Sequence, residues 1–309
     1  MSFTVSSLAA CTNEQSTDLV VKALFSNKTA ATLYAANQVQ VGGKSAASLN
    51  ILASTVYFQA DGCGYNPSGV TTFTQRNITV GAVKVEETLC PKTLEAKWMQ
   101  TQIMPGSPTM IPFEEQIGSE KAAVIAQTLE TAMWTGDTAS GNPNLSRFDG
   151  FSKIIAAASP TLGNATPTTF TSITNANIDD ILDQIYANVP TAVAMKSDLV
   201  CFLGVDAFKL MLVNLKNANL FHYVADAPQT MELVYPGTNM KLIAVGGLNG
   251  TNKLFAGSLS NFHLGTDLAH EEEDVKLWYS QDNDEVRVRF TFKYGVQVAF
   301  PSEIVYFTL

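Results

Sequence analysis

The sequence predicts a mixed α+β protein of about two domains, with three parts that do not serve its own core. One long strand alternates cleanly between apolar and polar residues, and other stretches show apolar residues at helical spacing. An N-terminal arm, a hairpin and a long helix have no obvious partners within the chain. With 309 residues, 46% hydrophobic and 15% charged, the composition is typical of a soluble globular protein.

Residues 1–47 form the predicted arm. The helical segment TDLVVKALF has only a short apolar stripe, made by Leu19, Val20, Ala23 and Leu24. Such a stripe cannot bury much by itself. The arm is therefore expected to lie on another surface, either of the same chain or of a neighbour.

A long hairpin is predicted between Leu49 and Glu87. The stretch LNILASTVYFQ is followed by the turn-rich ADGCGYNPSG and by VTTFTQRNITVGAVKVEE, which is rich in Val and Thr. The second strand is polar on both faces from Thr71 to Asn77 and alternates only from Ile78 onward. The alternation slips by one residue at Gly81, which predicts a β-bulge. The base of the hairpin should pack, and its tip should project.

A short helix is predicted near CPKTLEAKWMQ, and a long one from Pro112 to Thr135. Proline suits a first helical position, and Gly136 can end the helix. One apolar stripe runs along the long helix: Ala122, Ile125, Ala126, Leu129, Ala132 and Met133. The polar stretch from Trp134 to Phe151 is then its exit loop, in which Asp137 and Asp149 are expected to form Asx turns rather than a calcium site.

The remainder predicts a compact α/β unit and a final strand. IDDILDQIYANVP and DAFKLMLVNLKNA have helical spacing, the second behind a predicted Asp206 cap, and LVCFLG is a buried strand. KLIAV and KLFAG are strands, and GGLNGTN between them is interpreted as a hairpin turn because it lacks the spacing of a phosphate or dinucleotide loop. VRVRFTFKYGVQV alternates throughout, so one face is core and the other is wet or contacts a partner.

Charge and composition exclude several functions. The net charge of −9, with no cluster of bases, argues against tight nucleic-acid binding. Cys11, Cys63, Cys90 and Cys201 lie far apart without a C-x-x-C motif, which argues against a zinc site or a disulfide framework. Leu8 to Cys11 resembles a lipoprotein box, but no basic segment or apolar run precedes it. No apolar run approaches the ~20 residues of a membrane span.

No catalytic, cofactor-binding or metal-binding residues are predicted, and the chain is not expected to be an enzyme. His222, His263 and His270 do not have metal-ligand spacing, and G-x-S-x-G is absent. The acidic runs HEEEDV and QDNDE lack the spacing of a calcium loop and fit a solvated face and a hairpin turn. Parts that do not serve their own core make sense if neighbouring copies supply the missing contacts.

The order of arm, hairpin, long helix, WTGD…FDGF loop, α/β unit and alternating strand resembles the major capsid protein of tailed bacteriophages, the Hong Kong 97-type fold. More narrowly, GGKSAASLNIL, FQADGCGYNPSGVTTFTQRNITVGAVKVEETLCPKTLEAKWMQTQ and PFEEQIGSEKAA resemble capsid proteins of Bacteroidetes-infecting phages, the crAss-like group and its relatives. The resemblance covers nearly the whole chain.

The resemblance implies a division of the chain. Its segments are an N-terminal arm (1–47), an E-loop (48–89), a peripheral (P) domain containing the spine helix (90–172), an axial (A) domain (173–274) and the C-terminal strands of the P domain (275–309). It also implies assembly in the host bacterial cytoplasm into hexamers and pentamers of a virion capsid. The shell would enclose double-stranded DNA without tight specific binding, and no membrane is involved.

The resemblance further implies a portal and auxiliary head proteins as partners. A separate scaffolding protein is expected, because Met1 stands almost at the arm. The hairpin tip contains no lysine, so the covalent cross-link known from some relatives is not expected. Removal of residues 1–30 is expected to leave a folded subunit that assembles poorly. The alternatives are an encapsulin-like compartment and, from a different class, a secreted glycan-binding or enzymatic α/β protein.

Overall fold

The structure is a computed structural model and describes residues 27–41, 46–65, 67–90, 113–158, 160–162, 170–218, 230–267, 274–283 and 285–309. Its α-helices are α1 (Lys28–Ala35), α2 (Phe113–Thr135), α3 (Phe151–Ala157), α4 (Ile178–Asn188), α5 (Thr191–Ala194) and α6 (Val205–Asn217). Its first strands are β1 (Val39–Val41), β2 (Ala46–Thr55), β3 (Val70–Thr79), β4 (Gly81–Leu89), β5 (Thr161–Leu162) and β6 (Leu199–Gly204). The others are β7 (Glu232–Val234), β8 (Lys241–Val245), β9 (Lys253–Ser258), β10 (Phe262–Thr266), β11 (Asp274–Ser280), β12 (Glu285–Val298) and β13 (Val305–Thr308).

The first sheet is built around β12, the alternating strand predicted from the sequence. β4 pairs with one edge of β12, while β11 and then β10 pair with the other edge, all antiparallel, and β1 adds to β10 in parallel. The apolar residues predicted to face inward are all buried: Val286, Val288, Phe290, Phe292, Tyr294, Val296 and Val298. The prediction for this strand is confirmed.

The second sheet has the strand order β5-β13-β9-β6-β8-β7 and is covered on both faces. Every residue of β6 is buried, as predicted for LVCFLG. Val200 and Phe202 face the first hydrophobic core, which strands of both sheets form with α1, α2 and α3. Cys201 and Leu203 face a second core formed with α4, α5 and α6. A nearly continuous apolar run is what such a doubly covered strand requires.

The long helix α2 confirms the predicted element but not its predicted exposure. Its 23 residues span roughly 35 Å at about 1.5 Å per residue, and all six stripe residues are buried. Trp134 is completely buried, with ring centroids 5.2 Å from Phe151 and 5.1 Å from Phe202. The expectation that this helix serves no core of its own chain is therefore wrong, because its C-terminal half is central to the first core.

The end of the predicted arm also belongs to this core. In α1, Ala30 and Leu33 are fully buried, and β1 pairs with β10. Residues 27–41 thus lie on their own chain, which resolves for this part the choice that the sequence left open. A deletion of residues 1–30 would remove buried Thr29 and Ala30, so the structure gives a reason to expect that it destabilises the subunit. The predicted helical segment at 17–25 lies outside the described residues, as does 91–100 of the predicted short helix.

Three local predictions are corrected by hydrogen bonding. At Gly81 there is no bulge: the chain changes partner, since β3 pairs with β2 as far as Thr79 and β4 pairs with β12 from Gly81. The GGLNGTN segment does not close a hairpin, because β8 and β9 flank β6 on opposite sides. Asp206 is not the cap of α6: Gly204 is the N-cap residue, and the side chain of Asn249 accepts a hydrogen bond from Val205 N (2.7 Å).

Sheet membership departs from the predicted domain limits at several strands. β5 falls within predicted residues 90–172 but pairs with β13 in the second sheet. β10 falls within predicted residues 173–274 but pairs with β12 in the first sheet. β13 falls within predicted residues 275–309 but pairs with β9 in the second sheet. The chain therefore crosses between the two sheets near residues 258–262 and again near residues 298–305.

Candidate assembly surface

The β2–β3 hairpin extends away from both cores. The two strands pair in register from Ala46 with Thr79 to Thr55 with Val70. Among the described residues, Leu49, Ile78 and Val80 form a small buried cluster near its base, and Ile51 is also buried. The prediction that the base packs and the tip projects is confirmed.

The projecting part exposes large apolar side chains, which we call the hairpin apolar patch. Phe58, Tyr65 and Phe73 are 101%, 94% and 80% exposed. Four further exposed members are Leu52, Val56, Tyr57 and Val70. Contiguous exposed apolar side chains mark interaction surfaces, because leaving them in water is unfavourable. Phe73 lies within Thr71 to Asn77, the stretch predicted to be polar on both faces, so the prediction overlooked an exposed aromatic residue there. The apolar run VYFQ in the first half of the hairpin was the sign of exposed apolar side chains that the sequence offered.

The hairpin joins the subunit through residues 78–81, which we call the hairpin root. Two side-chain hydrogen bonds connect the adjoining part of β3 to β12. Arg76 Nη1 donates to Val298 O (2.8 Å), and Gln297 Nε2 donates to Asn77 O (2.9 Å). A cleft of about 500 Å³ lies between β2 of the hairpin and the subunit. Its lining includes Ser48–Leu52 on the hairpin and Ser260, His263, Ala299 and Phe300 on the subunit.

Glycines let the root pass close to other backbone. Gly265 and Gly295 are register partners on β10 and β12. A Cβ on Gly265 would lie 2.7 Å from Ile78 Cγ2, and one on Gly295 would lie 2.2 Å from Thr79 O. On Gly81 a Cβ would lie 2.0 Å from Arg147 O. The root is thus in close contact with the first sheet at Gly265 and Gly295, and with the loop that follows α2 at Gly81.

That loop, the Trp134–Phe151 stretch, is a connector. It closes where Gly150 N donates to Gly136 O (2.9 Å), and Asp137 forms the predicted Asx turn by accepting from Ala139 N (2.8 Å). Lys153 Nζ lies 2.7 Å from an oxygen of both Asp137 and Asp149. Its hydrogen bond lowers the pKa of Asp137. A lysine between the two carboxylates occupies the place that a cation would need.

A buried carboxylate connects the N-terminal segment to α2. Glu130 accepts from Thr29 Oγ1 (2.6 Å) and from Thr29 N (3.1 Å), and Trp134 Nε1 donates to Thr29 Oγ1 (2.9 Å). Burial raises the pKa of Glu130, although its hydrogen bonds partly oppose this. Lys28 adds a partly buried ion pair with Glu232, which also pairs with Lys241. These contacts fix the direction in which the chain enters the first core.

The residues considered for chemistry are dispersed. His263 lies in β10 beside the cleft, and burial lowers its pKa; His222 and His270 lie outside the described residues. Cys63 is exposed at the hairpin tip, whereas Cys201 is buried in β6. Within the described ranges, no group of three His, Cys, Asp or Glu side chains could hold a metal ion. None of the described helices is both long and apolar enough to cross a membrane.

Comparison with known proteins reveals the fold but no close relative. No protein-family model matches the sequence, and no curated protein matches it. Solved structures do match. The procapsid of satellite phage P4 with its size determination protein has a TM-score of 0.57 at 12% identity, over 90% of this chain and 96% of that one. A capsid of an empty GTA particle gives 0.59 at 9% identity, over 90% and 89%. The capsid of the myovirus XM1 gives 0.53 at 12% identity, over 90% and 91%.

The chain has the Hong Kong 97-type phage capsid fold. The matches cover about nine-tenths of both chains. The fold class predicted from the sequence is confirmed. At 9–12% identity the likeness establishes the fold and not the role of any residue.

Proposed function

We propose that this chain is a major capsid protein whose copies assemble into pentamers and hexamers of an icosahedral shell around phage double-stranded DNA. The observation that supports it most directly is the hairpin apolar patch on a phage capsid fold. Phe58, Tyr65 and Phe73 contact little of their own subunit. A neighbouring copy is the surface that would bury them.

Burial of the hairpin apolar patch would stabilise an assembly. A large aromatic side chain gains about 1.5–3 kcal/mol when it is fully buried, and an isolated two-stranded hairpin is marginal in water. The patch is therefore unfavourable in a lone subunit and stabilising in an assembly. The net charge of −9 supports enclosure of DNA by confinement instead of by strong contacts.

The finer features of the proposal follow the sequence resemblance. Residues 48–89 would be the E-loop, with the P domain at 90–172 and 275–309 and the A domain at 173–274. Strand pairing supports moving β10 to the P domain and β13 to the A domain. A portal, a scaffolding protein and auxiliary head proteins would be partners. Assembly would occur in the bacterial cytoplasm, and the phage would belong with the crAss-like group and its relatives.

Electron microscopy of the expressed protein tests the proposal. Rings, tubes or closed shells are expected at concentrations where the patch can be buried. Monodisperse particles of 33.3 kDa at every concentration tested, with or without a co-expressed scaffold, would contradict it. The genes beside this one separate phage from protein compartment, since a portal or terminase gene is expected only for a phage.

A further inference from the structure

The hairpin root lies in a seat made by two glycines. Gly265 and Gly295 face each other across β10 and β12, so together they leave a strip of bare backbone across both strands. Ile78, Thr79 and Val80 lie on this strip, at the distances that the missing Cβ atoms allow. Glycine inside a strand often marks such a close backbone approach.

The end of the root is held at a second place. Gly81, where the chain enters β4, lies against the backbone of Arg147 and the side chain of Phe148, so this end cannot move easily. The cleft of about 500 Å³ next to β2 is open space. A push from the seat would therefore be relieved by tilting the hairpin rather than by moving the loop.

We infer that the Gly265–Gly295 seat sets the angle at which the hairpin leaves the subunit, and through that angle the size of the assembled shell. The second half of this inference rests on the proposed function; the first half concerns the subunit alone. The seat thus determines the position of the hairpin apolar patch, which lies far from it along the hairpin.

The displacement of the far end of the hairpin can be estimated from the geometry. A Cβ on Gly295 would lie 2.2 Å from Thr79 O, so the root must move by about 1 Å to restore ordinary contact. Over a root roughly 10 Å long this is a tilt of about 6°, which moves the far end of a strand about 33 Å long by roughly 3 Å. A shift of that size is large enough to misplace an aromatic side chain in a neighbour's pocket.

Distances measured between two spin labels test the angle in the subunit. One label is placed on native Cys63 and the other on Lys209→Cys, an exposed position of α6, with Cys11 and Cys90 replaced by serine. Cys201 should stay unlabelled, because it is fully buried and burial raises its pKa to about 12. Motion of the hairpin tip broadens the distance distribution, and the mean reports the angle.

Gly295→Ala and Gly265→Ala are expected to shift the mean distance by about 3 Å. Gly141→Ala is the matched control, since nothing lies within 4 Å of its Cβ position and it belongs to the same loop that closes the root. Truncating the side chain that Gly265→Ala would strike, in the double variant Gly265→Ala/Ile78→Ala, should return the mean towards the native value. A general loss of stability would not be reversed by a second truncation.

Unchanged means in folded Gly265→Ala and Gly295→Ala would overturn the inference. If Gly295→Ala does not fold, Gly265→Ala decides, because its added Cβ meets the side chains of Ile78 (2.7 Å) and Val80 (3.2 Å) and not backbone, so the subunit is expected to fold with its root displaced. Electron microscopy then compares particles: a changed diameter or open sheets are expected for the seat variants, and native shells for Gly141→Ala. Shifted distances with native shells would refute the control of size. An absence of rings, tubes and shells from the native chain, with or without a co-expressed scaffold, would refute the proposed function and leave the distance result standing.

Discussion

Replacing Phe58 with alanine should weaken assembly without weakening the subunit. Phe58 is 101% exposed, so its ring makes no contribution to its own core that alanine would remove. Exposed positions away from special features change the free energy of unfolding by less than about 0.5 kcal/mol. Thermal unfolding of the isolated subunit should therefore be nearly unchanged.

The loss on assembly follows from burial of the ring. If a neighbouring copy buries Phe58 completely, the association gains about 2 kcal/mol from it. Since every 1.4 kcal/mol is a factor of ten in an equilibrium constant, Phe58→Ala should weaken each contact by about 30-fold. Phe58→Leu keeps most of the apolar area and is expected to weaken each contact by less than about 5-fold.

The assay is the protein concentration at which shells or rings first appear, measured by light scattering and checked by electron microscopy. The critical concentration should rise in the order native, Phe58→Leu, Phe58→Ala. Equal critical concentrations for all three would show that the ring is not buried between copies. A lowered unfolding temperature for Phe58→Ala would show that the ring packs on its own subunit.

Four further predictions follow. Hydrogen exchange over residues 60–78 should be fast in subunits and slow in shells, and particles should give a single monomer band on denaturing electrophoresis without reductant; equal protection in both states, or a ladder that survives boiling, would contradict this. Filter binding of duplex DNA at physiological salt should give no submicromolar affinity, because the chain is acidic. Deleting residues 1–30 should give a free energy of unfolding several kcal/mol lower than deleting residues 1–26, since Thr29 then no longer bonds buried Glu130; equal stabilities of the two deletions would refute the role of residues 27–30. Thr29→Val should lower the free energy of unfolding by about 1–3 kcal/mol, and Thr29→Ser by much less. Burial raises the pKa of Glu130, so the protonated side chain is favoured in the folded state as the pH falls. The hydroxyl of Thr29 stabilises the charged carboxylate more than the protonated form, so its loss matters most when Glu130 is charged. The Thr29→Val loss should thus be larger at pH 8 than near pH 4 in urea unfolding, and a pH-independent loss would refute this.

The elements predicted correctly are those whose residue pattern is set by periodicity within the element itself. β12 alternates over 14 residues because one face meets the core and the other does not. α2 shows its stripe because helical periodicity places six apolar residues on one face. For such elements the residue spacing alone identifies the buried side.

The predictions that failed depended on which segments meet in space. GGLNGTN looks the same whether its flanking strands pair with each other or lie on either side of β6. The slip of alternation at Gly81 is real, but a bulge and a change of partner produce the same pattern. Glu130 lies within a helix whose exposed face is polar, and nothing nearby in the sequence shows that Thr29 covers it. Tertiary pairing decides each case.

The candidate surface was predicted in outline and missed in detail for a related reason. A projecting hairpin was inferred because its second strand lacks a buried face, but an exposed apolar residue and a core residue look alike in sequence. Only the structure shows that Phe58 and Phe73 face solvent while Ile78 is fully buried. Ile78 therefore belongs to the part of the hairpin that stabilises the subunit. Phe58 and Phe73 belong to the part that can stabilise only an assembly. Substitutions at Ile78 should therefore first appear as lost folding, whereas substitutions at Phe58 should first appear as lost association.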